Sequence, residues 1–173
     1  VTGRLGGSEA GLRALLSGLP DDGPVREVKR RHNAPAPRIA EAQAFIDVAT
    51  PRAMIDVSDG LSSELWHLAE EGGVGVSIGE ARIPIAPAAA DVARRLGAAP
   101  IDLALGSGEE FELLVAIPAS ETERTIEHVC AVTGTEVTCI GEVVPAERGC
   151  TIVRAGGREE PLARLGYEHL IAA

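Results

Sequence analysis

At Gly60 the spacing of apolar residues changes period, and that change constrains the chain path more tightly than any other feature of this sequence. Ala53-Met54-Ile55-Asp56-Val57 is a short, mostly apolar run that reads as a buried strand. Directly after it, Leu61, Leu65, Leu68 and Ala69 recur at helical spacing, and Gly72-Gly73 stops the helix. Ser58-Asp59-Gly60 is therefore a turn joining a strand to a helix. Strand alternation puts Asp56 and Ser58 on one side of the chain, with Asp59 opening the turn, so two carboxylates and a hydroxyl meet near a helix N-terminus.

The flanking sequence follows the same rules. Ser8 is expected to cap a short helix carrying Leu12, Leu15 and Leu16 on one side. Residues 20–24 read as a turn and residues 31–38 as extended, because each proline biases its predecessor away from helix. Pro37 then suits the first turn of a helix through Ala49, with Ile39, Ala42, Phe45, Ile46 and Ala49 as its buried stripe. Further strands are expected at residues 74–78, 111–117, 137–144 and 151–154, with helices from Pro87 to Leu96 and, capped by Ser120 with Glu123, to about Val132. Helices and strands mix without strict alternation. The expected fold class is α+β, helices layered on a mainly antiparallel sheet, with a doubly wound sheet as the second choice. The 173 residues suit one domain.

Composition narrows the function classes. The net charge is -10, and Phe45, Trp66, Phe111 and Tyr167 are the only aromatics, so neither counterion release nor base stacking favours nucleic acid. A nucleotide accompanied by a divalent cation is compatible with this charge, because a bound metal inverts the local electrostatics of carboxylates. Cys130, Cys139 and Cys150 form no CxxC pair and leave an odd thiol, which points to a reducing, cytoplasmic setting. No run approaches the roughly 20 apolar residues of a membrane span. The first residues do not resemble a signal peptide, and the abrupt start reads as if the chain were cut from something longer.

Two acidic segments carry the candidate chemistry. Asp56, Ser58 and Asp59 suit a Mg²⁺–phosphate site, since Mg²⁺ takes one or two carboxylates together with waters and substrate phosphates, and helix N-terminal amides favour the phosphate. The alternative is that Ser58 or Asp59 only caps the helix. In Gly106-Ser107-Gly108-Glu109-Glu110-Phe111-Glu112 the glycines let backbone approach a ligand, Glu109 is placed to accept hydrogen bonds from one, and Glu112 is expected to face a basic partner or solvent. The alternative there is an ordinary acidic turn. His67 has no second histidine at ligand spacing and is read as a helix-surface residue. GxSxG, GxxxxGK[ST] and the Rossmann fingerprint are absent.

Val1-Thr2-Gly3-Arg4-Leu5-Gly6-Gly7-Ser8-Glu9-Ala10-Gly11-Leu12, then Arg31-His32 through Pro35-Ala36-Pro37-Arg38, then Met54-Ile55-Asp56-Val57-Ser58-Asp59-Gly60-Leu61 resemble successive landmarks of the thiamine-monophosphate kinases. Gly108-Glu109-Glu110-Phe111-Glu112-Leu113 and Gly166-Tyr167-Glu168-His169-Leu170 continue that resemblance along the whole chain. The wider group includes aminoimidazole ribonucleotide synthetase, selenophosphate synthetase and a hydrogenase-maturation protein. The resemblance implies the C-terminal domain of that fold and transfer of the γ-phosphoryl group of ATP to thiamine monophosphate. It further implies Asp56 and Asp59 as Mg²⁺ ligands, Ser58 on the nucleotide phosphates, and Glu109 and Tyr167 at the thiamine. In this group the N-terminal half supplies most metal-binding aspartates, the ATP segment and a dimer-forming sheet, so this chain alone is expected to be inactive. Gly7 and Glu110 stand where aspartate is usual, and Phe111 where tyrosine is usual. A binding domain without catalysis, or a sister synthetase, are the other readings.

Overall fold

The computed structural model describes residues 1–167 and arranges them as seven α-helices and six strands. Helix α1 (Gly7–Leu16) leads through a turn to α2 (Gly23–Asn33), and α3 (Ile39–Val48) precedes β1 (Ala53–Asp56). Helix α4 (Leu61–Gly72), β2 (Gly75–Gly79), α5 (Pro87–Arg95), α6 (Pro100–Gly106) and β3 (Leu113–Ala116) follow. Helix α7 (Thr122–Thr133), β4 (Gly141–Val144), β5 (Cys150–Val153) and β6 (Glu159–Pro161) complete the order.

The expected α+β class holds, and the sheets are mainly antiparallel. Strands β1 and β3 pair antiparallel as one ribbon, Met54 opposite Val115 and Asp56 opposite Leu113. The second sheet has the order β4-β2-β5-β6, in which only the β2–β5 contact is parallel. Helix α4 buries Leu61 and Leu65 against Val57, Val76, Ile78, Leu114 and Ile152, so the period change at Gly60 feeds strand and helix into one core. Each fully buried leucine contributes about 1.5–3 kcal/mol. Helices α1, α2, α5 and α6 share a second cluster, and α3 packs on α7 through Phe45 and Val129.

Several local expectations fail for identifiable reasons. Residues 23–33 are helical rather than turn and extended chain: Asp22 caps α2 by accepting from the Val25 N–H at 3.1 Å, and Pro24, the residue that suggested a turn, occupies its first turn. Val25 and Val28 are fully buried on its inner face, and Arg30, Arg31 and His32 lie in its last turn, where the helix dipole favours cations. Ser8 is no cap; α1 begins at Gly7, and its buried face is Gly7, Ser8, Ala10, Gly11 and Ala14, leaving Leu16 80% exposed. Small residues won that face because α2 lies so close that a Cβ on Gly11 would overlap the Val28 carbonyl.

In α3, Ile39 and Ile46 are likewise exposed, while Glu41, Ala44 and Phe45 are buried. Ser120 lies in a short 3₁₀ turn and α7 starts at Thr122, so the expected capping box does not form. Helix α6 and strand β6 were not foreseen, and the expected strands at 111–117 and 137–144 shorten to β3 and β4. All three cysteines are free, and no described helix is long and apolar enough to cross a membrane.

Candidate functional site

The turn after β1 is fastened to the loop before β3 by main-chain hydrogen bonds. Val57 is fully buried between the exposed Asp56 and the half-buried Ser58, so strand alternation continues to the turn. The Val57 N–H donates to the Glu112 carbonyl at 2.7 Å, and the Val57 carbonyl accepts from the N–H groups of Glu110 and Phe111. One residue on, the Glu109 N–H donates to the Ser58 carbonyl at 2.7 Å. A Cβ on Gly108 would lie 2.9 Å from that carbonyl, which is why glycine stands there. Glu109 (φ 57) and Phe111 (φ 53) both occupy the left-handed region, a cost of order 1–3 kcal/mol each that the surrounding hydrogen bonds sustain.

From the other side the segment 162–167 is laced to the first turns of α4. Ser62 and Ser63 donate their hydroxyls to the Leu165 carbonyl, and the Leu165 N–H returns to the Ser62 hydroxyl at 2.8 Å. The Trp66 indole N–H donates to the Leu162 carbonyl at 3.1 Å, and Arg164 stacks over the same ring. This brings the Tyr167 N–H within 3.0 Å of the Asp59 carbonyl, and glycine at position 166 is required because a Cβ there would run into that carbonyl. Ser58, Asp59, Glu109 and Tyr167, more than a hundred residues apart at the extremes, thus stand on one edge of the fold, with Asp56 at the strand end beside them. Tyr167 is 65% exposed, so it is not a core aromatic. Glu168, His169 and Leu170 of the final landmark lie outside the described residues.

A third wall comes from α1, α2 and the chain leading into α3. Arg38 donates through Nε and Nη2 to both oxygens of Glu112, each at 2.7 Å, and through Nη1 to Glu41 at 3.1 Å. Glu112 is 2% exposed and also accepts from the Thr2 hydroxyl, so of the two surroundings expected for it the basic partner is the one it has. Arg31 and Arg30 line the adjoining cleft of about 250 Å³ with Pro35, Arg38, Glu110 and Glu112. Arg31 crosses Gly7: a Cβ there would lie 2.6 Å from its Cδ, so the guanidinium stem fills the space an aspartate would take. His32 approaches both Ser8 and Glu109. A larger, apolar cavity of about 370 Å³ lies elsewhere, among Leu65, Val76, Leu114 and Ile140, and holds none of these groups.

Glu110 anchors the loop that presents Glu109. Its carboxylate accepts from the Ser8 N–H at 2.9 Å and from the Ser107 hydroxyl at 2.6 Å. Burial pushes its pKa above the ordinary 4.5, with Glu112 adding to the rise and Ser107, Ser8 and Arg31 opposing it. A carboxyl raised in the folded state favours folding in its protonated form, and that contribution is lost as pH climbs from 4.5 through the folded value. Glu110→Gln keeps the accepting oxygen and removes the titration. Its stability relative to the parent is expected to improve as pH rises from about 4 and to level off above the folded pKa, which urea midpoints of both proteins across that range will show.

Sequence reasoning missed Glu64, the Arg38–Glu112 pair and Ser107. Glu64, one turn into α4, is buried yet accepts from the Asp59 N–H at 2.9 Å. An acid at the inner end of a strand-turn-helix was a usable signal. His67 donates from its ring Nδ1 to the Glu64 carboxylate at 3.1 Å from a half-exposed position, in line with a helix-surface role. The donor set of the turn is all oxygen, as Mg²⁺ requires, and no group of three metal-ligating side chains occurs among the described residues. It fits a cation shared with phosphates and water rather than one caged by this chain.

Residues 4–154 match the family described as AIR synthase related protein, C-terminal domain. The thiamine-monophosphate kinase of Pyrococcus abyssi is 35% identical over 98% of this chain and 49% of its own length. That of Escherichia coli K12 is 33% identical over 98% of this chain and 51% of its own. The solved structure of AaThiL complexed with AMPPCP and TMP superposes with a TM-score of 0.80 at 28% identity, covering 98% of this chain and 50% of the other. The chain spans about half the length of the curated relatives it matches.

Proposed function

Since the chain belongs to the family of AIR synthase related proteins, as their C-terminal domain, we propose that it is the C-terminal half of a cytoplasmic, ATP- and Mg²⁺-dependent kinase that makes thiamine diphosphate from thiamine monophosphate. The observation that carries this reading is the gathering of Ser58, Asp59, Glu109 and Tyr167 on one edge by backbone hydrogen bonds. The solved AaThiL complex, with AMPPCP and TMP, supports a nucleotide and a thiamine phosphate as the ligands.

In the proposed reaction an oxygen of the thiamine phosphate forms a bond to the γ-phosphorus of ATP as the bond to the β–γ bridging oxygen breaks, and ADP departs. Such transfer depends mainly on positioning and charge neutralisation. Asp56 and Asp59 would hold Mg²⁺, which when bound neutralises phosphate charge that a chain of net charge -10 otherwise repels. The Ser58 hydroxyl donates to nucleotide phosphates at the N-terminus of α4, where the helix dipole favours anions. Glu109, projected by its left-handed backbone, accepts from the amine of the thiamine pyrimidine, and the exposed Tyr167 ring gives the heterocycle a flat surface. The other domain, with the remaining metal ligands and the dimer contact, belongs to the parent protein in this reading.

Calorimetric titration with thiamine monophosphate, with and without Mg²⁺ and a non-hydrolysable ATP analogue, tests it. Binding is expected to need Mg²⁺ and to weaken about a hundredfold in Asp59→Asn, a loss of ~2.7 kcal/mol, and by about tenfold in Tyr167→Ala. Thiamine monophosphate bound equally well without Mg²⁺ and in both variants would sink the proposal.

A further inference from the structure

We infer that Glu64 is a positioning residue, whose buried carboxylate sets the conformation of the Ser58-Asp59 turn for the metal–nucleotide complex; this rests on the function proposed above. Glu64 is 2% exposed, and burying a carboxylate costs several kcal/mol unless its lone pairs are satisfied. Two of its three contacts belong to the turn. Oε1 accepts from the Asp59 N–H at 2.9 Å and lies 3.4 Å from the Ser58 hydroxyl, while Oε2 meets the His67 ring at 3.1 Å.

The neighbours of Glu64 on the inner face of α4, Leu61 and Leu65, pack the core with apolar groups, so packing alone gives no reason for an acid between them. What the acid does is complete the fixation of Asp59. With the N–H held by Glu64 and the carbonyl held by the Tyr167 N–H, both peptide planes flanking the Asp59 Cα are tied, which fixes its φ and ψ and restricts its side chain to the few rotamers they permit. The Ser58 hydroxyl approaches the same oxygen at 3.4 Å, a long contact that its rotatable proton can leave for a nucleotide phosphate. A turn that meets its ligand already in place loses less entropy on binding than one that must be ordered.

The role is that of an acceptor, which glutamine can supply: its oxygen can replace Oε1 and its amide can donate to the ring nitrogen of His67. The test therefore compares Glu64→Ala, Glu64→Gln and the core variant Leu65→Ala with the parent chain. Two quantities are read, amide exchange at Asp59 and the affinity for Mn²⁺ with a non-hydrolysable ATP analogue.

Glu64→Ala is expected to speed Asp59 exchange and weaken the Mn²⁺–nucleotide affinity at least about tenfold, with Glu64→Gln restoring most of both. Leu65→Ala is expected to lower the melting temperature and leave the affinity within about twofold when measured well below melting. Unchanged affinity in Glu64→Ala, or an equal loss in Leu65→Ala, overturns the positioning role and leaves the proposed function standing. A parent chain that binds no Mn²⁺–nucleotide overturns both.

Discussion

Arg38→Ala is expected to lower the free energy of unfolding by about 3–5 kcal/mol, a large part of the 5–15 kcal/mol of a typical domain. The cost comes from what stays behind. Glu112 is buried just before β3, both of its oxygens are held by the Arg38 fork, and water entering from the adjoining cleft would restore hydrogen bonds but not the positive charge. Thr2 still donates one hydrogen bond, and Arg31, 3.7 Å away, is already committed to the Arg4 carbonyl. Arg38→Lys keeps the charge but loses the bidentate geometry, so it should fall between. The double variant Arg38→Met with Glu112→Leu should recover part of the loss, because the stranded Glu112 charge is then gone while Glu41 still lacks its Arg38 partner. Urea midpoints of the four proteins check the order. A single-mutant effect below about 1 kcal/mol would show that the pair behaves as a surface ion pair.

Gly60→Ala is expected to have the largest effect on the site itself. Gly60 has φ 118 and ψ 144, a conformation nearly restricted to glycine, at the N-cap of α4. An added Cβ would also lie 3.1 Å from the Gly106 carbonyl carbon and 3.2 Å from the Leu105 carbonyl oxygen, both backbone atoms at the end of α6. Strain of about 1–3 kcal/mol follows if the turn holds. If it yields instead, Asp59 leaves its main-chain hydrogen bonds to Glu64 and Tyr167 and the site opens. The expected result is a stability loss of that size with Mg²⁺–nucleotide affinity reduced by more than about tenfold. Gly134→Ala, at a left-handed C-cap with open space around it, should cost about 1 kcal/mol and leave binding unchanged, which separates backbone strain from damage to the site.

The legible part of this protein was local. Periodicity placed the strand before Gly60, the helix after it and the helix from Pro87, because apolar spacing reports directly on which side of an element is buried. The ordered landmarks gave Ser58, Asp59, Glu109 and Tyr167, and the structure stands them on one edge. Hydrophobicity misled where contact distance ruled. Leu12, Leu15 and Leu16 looked like the inner face of α1, yet Gly7, Ala10, Gly11 and Ala14 took it because only small side chains admit α2 so closely. Pro24 looked like a turn marker and proved to be a helix opener once Asp22 capped the segment.

The sequence alone determined the α+β class and the strand-turn-helix at Asp56–Gly60 with its oxygen-bearing side chains. Only the tertiary structure decided who holds whom. Arg38 and Glu112 are 74 residues apart, and Tyr167 meets Asp59 across more than a hundred. Nothing in local spacing encodes such pairs, since a charged side chain selects its partner by the distance that packing leaves between them. Glu64 is the different case: it lies five residues from Asp59, within reach of local reasoning, and its contact forms as the turn folds back over the first residues of its own helix.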